Sequence, residues 1–242
     1  MKIFTWLTTI FFIYSCNQKP QVFDISTETV QKNLIQEINQ IKKFPPYGLL
    51  FHDENYEVWS SCSGEWGGSV YFKNKKTGKI FATKSVCAVS INKINLKYYI
   101  SNSLVYGFGS SGVIEISNPE NLQEIPKLPI FHPEISVRDS ETSSSAGTKK
   151  LIDSSGILIR SSFIYNNKLY SILTDNQRKK NTISEIKNNK FQTVQELPDD
   201  IFYNEPIIVK DKDNHQKIYF QHPTSGTLEI TDNQIKITYY EK

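Results

Sequence analysis

The segment Ser63-Gly64-Glu65-Trp66-Gly67-Gly68 places a tryptophan and a carboxylate in a glycine-rich turn. A flat apolar ring beside one acid suits stacking on a sugar or a peptide. Trp66 and Glu65, joined by Phe108 from a second glycine-rich segment, are therefore the candidate ligand-binding residues. The competing reading is that Trp66 packs between neighbouring strand units, with the glycines allowing close approach. Other constellations fail on spacing. In Gly107-Phe108-Gly109-Ser110-Ser111-Gly112 neither serine has a glycine two residues away on both sides, as a nucleophile elbow requires, and a hairpin turn explains the glycines. Asp211-Lys212-Asp213-Asn214-His215 opens like a calcium loop, but its sixth position is Gln216 and its twelfth is His222, so a polar hairpin tip is expected. The histidines His52, His132, His215 and His222 show no zinc spacing, and His132-Pro133 and His222-Pro223 read as strand ends. Glycosidase chemistry needs two facing carboxyls; Asp53-Glu54, Asp139 with Glu141, Asp199-Asp200 and Asp211 with Asp213 are the pairs available, all in expected loops. No catalytic residue, metal site or cofactor is assigned.

The cysteines bear on location. Residues 1–16 carry one lysine and then about a dozen mostly apolar residues, too few to span a bilayer. Ile13-Tyr14-Ser15-Cys16 at their end resembles the lipobox of bacterial lipoproteins. That resemblance implies a signal peptide over 1–15, diacylation of Cys16 as the new N-terminus, and attachment to a membrane of the cell envelope, facing the periplasm or the exterior. Cys62 and Cys87 then remain in a compartment where disulfides persist, and they are expected to pair. Strands over 56–62, 69–74 and 79–84 would bring the end of the first and the exit of the third to one edge. Closing a loop of about 26 residues contributes roughly 3 kcal/mol in the chain-entropy treatment. Two buried free thiols are the alternative.

The elements that must position these residues follow from periodicity. A tether over 16–25 leads to Ser26-Thr27-Glu28-Thr29, after which Val30, Leu34, Ile35, Ile38 and Ile41 fall at helical spacing. A helix over 26–44 is expected, ended by Pro45-Pro46. Across 45–242 short runs of Val, Ile, Tyr, Phe and Thr alternate with Gly, Asn, Asp and Pro, the pattern of an all-β domain. Segments Tyr56 to Lys84, Ser103 to Pro126, Lys168 to Pro198 and Lys217 to Glu241 form a weak repeat, in which residues 68–72, 112–116, 182–186 and 226–230 align. Three of the aligned strands carry Glu115, Glu185 and Glu229 in the same place. With Asp139 to Lys150 read as an inserted loop, the period is roughly 47 to 50 residues, that of propeller blades. The expected fold is a small β-propeller-like array of four to five blades with one N-terminal helix; a β-sandwich or irregular β-meander is the alternative. The final strand Ile235 to Tyr240 is expected to close the ring on Tyr47 to Phe51.

Composition bounds the function. A net charge of +3, with 28 basic and 25 acidic side chains, gives no concentrated basic face for nucleic acid. An apolar fraction of 38% supports a packed core. The expectation is a membrane-anchored, noncatalytic binding or scaffold protein for a glycan, a peptide or a partner protein. The alternative is an envelope or polysaccharide hydrolase using a loop-borne carboxylate pair.

Overall fold

The computed structural model describes residues 21–40, 46–132, 134–202, 206–210, 215–221 and 224–241. Within them strands predominate, with one short helix and three 3-10 turns. An N-terminal strand β1 (Asp24–Gln31) and a short helix α1 (Leu34–Asn39) precede four successive antiparallel sheets. The first sheet holds β2 (Leu49–His52), β3 (Tyr56–Ser60), β4 (Ser69–Asn74) and β5 (Ile80–Lys84). The second begins with β6 (Ala88–Ile94), β7 (Lys97–Leu104) and β8 (Ser110–Ile116). The chain then returns to the first sheet, adding β9 (Gln123–Ile125) beside β5, before β10 (Thr148–Ser155) completes the second against β8. The third holds β11 (Ile157–Tyr165), β12 (Lys168–Asp175), β13 (Lys180–Lys187) and β14 (Lys190–Leu197). The fourth holds β15 (Ile207–Lys210), β16 (Gln216–Gln221), β17 (Ser225–Thr231) and β18 (Gln234–Glu241), with β1 parallel to β18 at its edge.

Apolar layers lie between consecutive sheets because each strand alternates and each sheet has two apolar faces to cover. Val58, Phe72, Ile91, Tyr98 and Ile100 join the first sheet to the second. Val113, Ile152, Ile159 and Leu173 join the second to the third. Phe163, Ile172, Ile183, Ile218, Leu228 and Ile237 join the third to the fourth. The strands that begin the sheets differ: β6 and β11 pack on each other and bury polar groups. Ser162 Oγ shares hydrogen bonds with Ser101 (2.7 Å) and Ser171 (2.9 Å), and Asn92 Nδ2 donates to its carbonyl (3.2 Å).

The aligned segments of the sequence repeat are the third strands of the four sheets, β4, β8, β13 and β17. The recurring glutamates are explained by their cross-strand partners on second strands: Glu115 with Lys97 (2.9 Å), Glu185 with Lys168 (3.9 Å) and Glu229 with Lys217 (2.9 Å). The first sheet reverses the polarity, with Glu57 on β3 and Lys73 on β4 at 3.6 Å. Glu229–Lys217 and Glu57–Lys73 are directly opposed in their ladders, while Glu115–Lys97 and Glu185–Lys168 are diagonal, and such pairs stabilise the ladder modestly.

Four expectations are corrected. The helix over 26–44 is instead β1 followed by α1, while residues 41–45 lie outside the described residues. The β-branched Ile25, Thr27, Thr29 and Val30 find an open edge on β18 that pairs the inward half of the segment's backbone groups over eight residues, which outweighs a helical spacing. Only Leu34 and Ile38 realise that spacing, packing with Tyr219 and Tyr240, and the Asn33 side chain caps α1 through the amides of Ile35 and Gln36. The last strand β18 pairs with β1 and β17, not with Tyr47 to Phe51. The segment taken as a second repeat unit, 103–126, is divided, since β8 belongs to the second sheet and β9 to the first. Of the expected insert Asp139 to Lys150, residues 148–150 are the start of β10, and the rest is loop.

Contacts fix which connections share an end. At one end, the turn end, Lys93 beside the β6–β7 turn bonds Asp53 of the β2–β3 turn at 2.6 Å. There Asn95, Asn167 and Asn188, from the turns β6–β7, β11–β12 and β13–β14, line one groove. Asp24 N–H donates to Asn233 of the β17–β18 turn at 2.8 Å, while Phe23 packs on Tyr165 beside the β11–β12 turn. At the opposite end, the loop end, Cys62 is bonded to Cys87, Ser103 N–H donates to Cys87 O at 3.0 Å, and Asn176 Nδ2 donates to Phe108 O at 3.2 Å.

Candidate functional site

The Trp66 loop is built from the end of β3. Cys62 and Cys87 form the expected disulfide, with Cα atoms 4.3 Å apart. Residues Gly64–Trp66 make one 3-10 turn. Gly68 is required by close approach: a Cβ there would sit 2.5 Å from Ser85 O and 2.8 Å from Ser61 O. Ser85 N–H donates to Gly68 O at 2.9 Å, and Ser63 Oγ donates to Glu141 at 2.8 Å. The turn is thereby fixed at both ends, and Trp66 is presented 68% exposed. Its ring does not pack between sheets.

The long connection 126–147 supplies the other wall. It lies across the first sheet, with Tyr71 donating to Ser140 O (3.2 Å) and Lys84 N–H to Ser144 O (2.7 Å). Phe131 stacks on Trp59 with centroids 5.2 Å apart and meets Tyr71 edge-on at 5.7 Å. Arg138 lies over the Trp66 ring, Cζ to centroid 4.9 Å, a cation–π contact that also stiffens both groups. Tyr47, Trp66, Phe131, His132, Glu134 and Arg138 border a cleft of about 650 Å³. Arg138 has no ion-pair partner among the described residues, which leaves its fork of donors available to an acceptor in the cleft.

The other sequence candidates divide. Glu65 is exposed on the same 3-10 turn but does not line the cleft. Phe108 is 78% exposed on the β7–β8 connection, outside the cleft but on the same end of the sheets, beside exposed Val105 and Tyr106. Gly107 and Gly109 are turn glycines with positive φ, as expected of a hairpin connection. Arg138, Tyr47 and His132 carried no signal in the sequence, because they reach Trp66 only through the fold of the 126–147 connection. His132 is no strand end; it lies in that connection, accepting from Glu134 N–H at 3.2 Å. His52 ends β2, His215 precedes β16, and His222 lies outside the described residues.

Asp53 and Glu54 share Lys93, and the other candidate acids in the described residues do not face one another across the cleft. Asp53 accepts from Lys93 (2.6 Å), Tyr98 (2.6 Å) and the amides of Asn55 and Tyr56 (both 2.8 Å). Burial would raise its pKa, but these donors outweigh burial and hold the carboxyl below its ordinary range. Asp199 pairs with Lys180, Asp200 accepts from Tyr239 (3.2 Å), and Glu141 is held by Ser63. Asp211 and Asp213 lie outside the described residues. Glu134 is the one acid bordering the cleft among the described residues. Among those residues no three His, Cys, Asp or Glu side chains gather as for a metal.

A second unusual group was not legible in sequence. Lys210, at the end of β15, reaches the second and third sheets, its Nζ meeting Asn92 Oδ1 (3.2 Å), Ser162 O (3.3 Å) and Ile91 O (3.4 Å). These acceptors are neutral, and burial lowers its pKa to about 8. Gln216, its cross-strand neighbour, is fully buried and donates to Ser161.

The chain matches no protein-family model, no curated protein and no solved structure.

Proposed function

We propose that this is a lipid-anchored, noncatalytic binding protein of the bacterial envelope, whose ligand, a glycan, a peptide or a partner protein, is taken at the loop end around Trp66. The observation that carries the reading is the exposure of Trp66 on a disulfide-fixed turn, stacked with an otherwise unpaired Arg138 at the edge of a preformed cleft. Preorganised aromatic platforms with few polar groups are what recognition sites use to limit the entropy lost on binding. A hydrolase would need a second carboxylate facing Glu134, and the cleft brings none among the described residues; Glu115 and Glu185 both line the turn-end groove, but each is paired with a lysine. Binding is the reading favoured on that ground.

The architecture proposed for this site is a four-bladed, propeller-like ring. Four successive sheets with a four-stranded antiparallel core each, two of them extended by β9 and β1, apolar layers between consecutive sheets, and polar groups of β6 and β11 meeting Lys210 support it.

Two measurements test the function. On arrays of glycans and peptides, Trp66→Ala should weaken the wild-type signal at least about tenfold, a loss of roughly 1.4 kcal/mol, with an unchanged unfolding midpoint; equal signals from the two proteins would refute the site. For the anchor, labelled palmitate should enter the wild-type protein and not Cys16→Ser; label retained by the variant would refute lipidation at Cys16.

A further inference from the structure

The turn end combines three features that no ligand-binding role at the loop end requires. First, four of its lysines stand outside ion pairs among the described residues. Glu54, Glu57, Glu115, Glu124 and Glu185 are each paired with a lysine: Lys93, Lys73, Lys97, Lys79 and Lys168. Lys75 and Lys76 in the β4–β5 turn, and Lys187 and Lys190 flanking the β13–β14 turn, remain exposed with no carboxylate partner among the described residues. The other acids at this end are Asp53, which shares Lys93 with Glu54; Glu120 near Tyr56; Asp232; and Asp24, which accepts from Asn233 at 3.1 Å. Second, Leu96 at the tip of the β6–β7 turn is 77% exposed and left-handed, φ 66°. A branched residue is costly there, and its apolar side chain covers nothing.

Third, the N-terminal segment enters the fold at this end. Phe23 is fully buried against Phe163, Tyr165 and Tyr170, and Gln195 clamps its backbone at both N–H (3.2 Å) and C=O (2.9 Å). Residues 17–22 alone separate Cys16 from this plug, a reach of at most roughly 25 Å. A lipid on Cys16 therefore holds the turn end near the headgroups.

We infer that the turn end is the membrane-facing surface, docking on anionic phospholipid headgroups through Lys75, Lys76, Lys187 and Lys190 while Leu96 enters the headgroup layer. The inference rests on the lipid-anchor reading, and it sets the Trp66 cleft on the far side, facing away from the bilayer. A short acyl tether and a lysine patch act together because the tether raises the local concentration of the patch at the surface, and each lysine adds attraction within a Debye length.

The test uses the full lipidated chain in two kinds of vesicle, phosphatidylcholine alone and phosphatidylcholine with about one-third phosphatidylglycerol. Lysines are acetylated with a water-soluble reagent and quantified individually. Lys75, Lys76, Lys187 and Lys190 should react at least about fivefold more slowly on the anionic vesicles, with the difference lost in high salt, while Lys84 at the loop end reacts equally on both. Equal rates at all four on both vesicles, or protection of Lys84 instead, would overturn the inference. Flotation with pure phosphatidylcholine reads the anchor separately. A protein that fails to float there but floats on anionic vesicles with the four lysines protected refutes the anchor and supports the patch; one that floats on neither refutes both.

Discussion

Lys210 and Asp53 show how two charged side chains are kept inside the protein on opposite terms. Asp53 is surrounded by donors, so its ionised form is favoured; the stability it gives is present above its ordinary pKa and is lost as pH falls through the depressed one. Lys210 has three neutral acceptors and no ion-pair partner among the described residues, and burial favours its neutral form, lowering its pKa to about 8 from an ordinary 10.5. Below pH 8 the ammonium is charged in both folded and unfolded chains. Between there and the ordinary value the unfolded chain holds more protons, so stability rises with pH. Tyr239 and Tyr240, both pushed up to about 12 by burial first and by Asp200 and Glu37 second, reverse the trend above pH 10. The expected outcome is a gain of roughly 3 kcal/mol at most across pH 8 to 10. Urea titrations should show that rise in the wild type and a flat profile in Lys210→Met; a parallel rise in the variant would assign it elsewhere. Neither charge state was readable from residue type, since a lysine ending a short strand is ordinarily solvated.

At the scale of elements, the N-terminal strap shows where local pattern and tertiary pairing disagree. Six of the eight residues of β1 are exposed, so its apolar content could never hold it as a strand alone. What fixes it is the β18 edge on one side and the Phe23 plug immediately before it. Phe23→Ala should cost about 3 to 5 kcal/mol, as for other fully buried aromatics, and amides of β1 should lose hydrogen-exchange protection ahead of those in β16 and β17. Simultaneous loss in all three strands would show that the strap is inseparable from its sheet. The third strands present the opposite case. Gly-Thr-Leu-Glu-Ile over 226–230 and Gly-Val-Ile-Glu-Ile over 112–116 were legible as equivalents because alternation and the buried cross-strand position act within a few residues. The aromatic cleft was half legible: Trp66 stood out by its glycines, whereas Arg138 arrives from a connection with no periodicity to read.

The molecule as a whole has two ends of different character, an aromatic end on loops tied by a disulfide and a lysine-bearing end on tight turns. If the first meets a ligand and the second a bilayer, the strands between them act as rigid spacers, and the unequal loop lengths are functional. No helix among the described residues is long and apolar enough to cross a membrane, so the proposed attachment relies on the leader and the surface. By itself the sequence determined the all-β class, the positions of most turns, the repeated strand, the cysteine pair and the glycine-rich tryptophan turn, though not the exposure of its ring, all set by interactions between residues near in sequence or by elimination among few cysteines. Only the tertiary structure decided that 24–31 is a strand, that β9 crosses to another sheet, that Arg138 covers Trp66, and that the half-buried Lys210 sets its ammonium among neutral acceptors. Each of those depends on which distant edge, face or carbonyl lies within a few ångströms, and a linear pattern carries no record of distance through space.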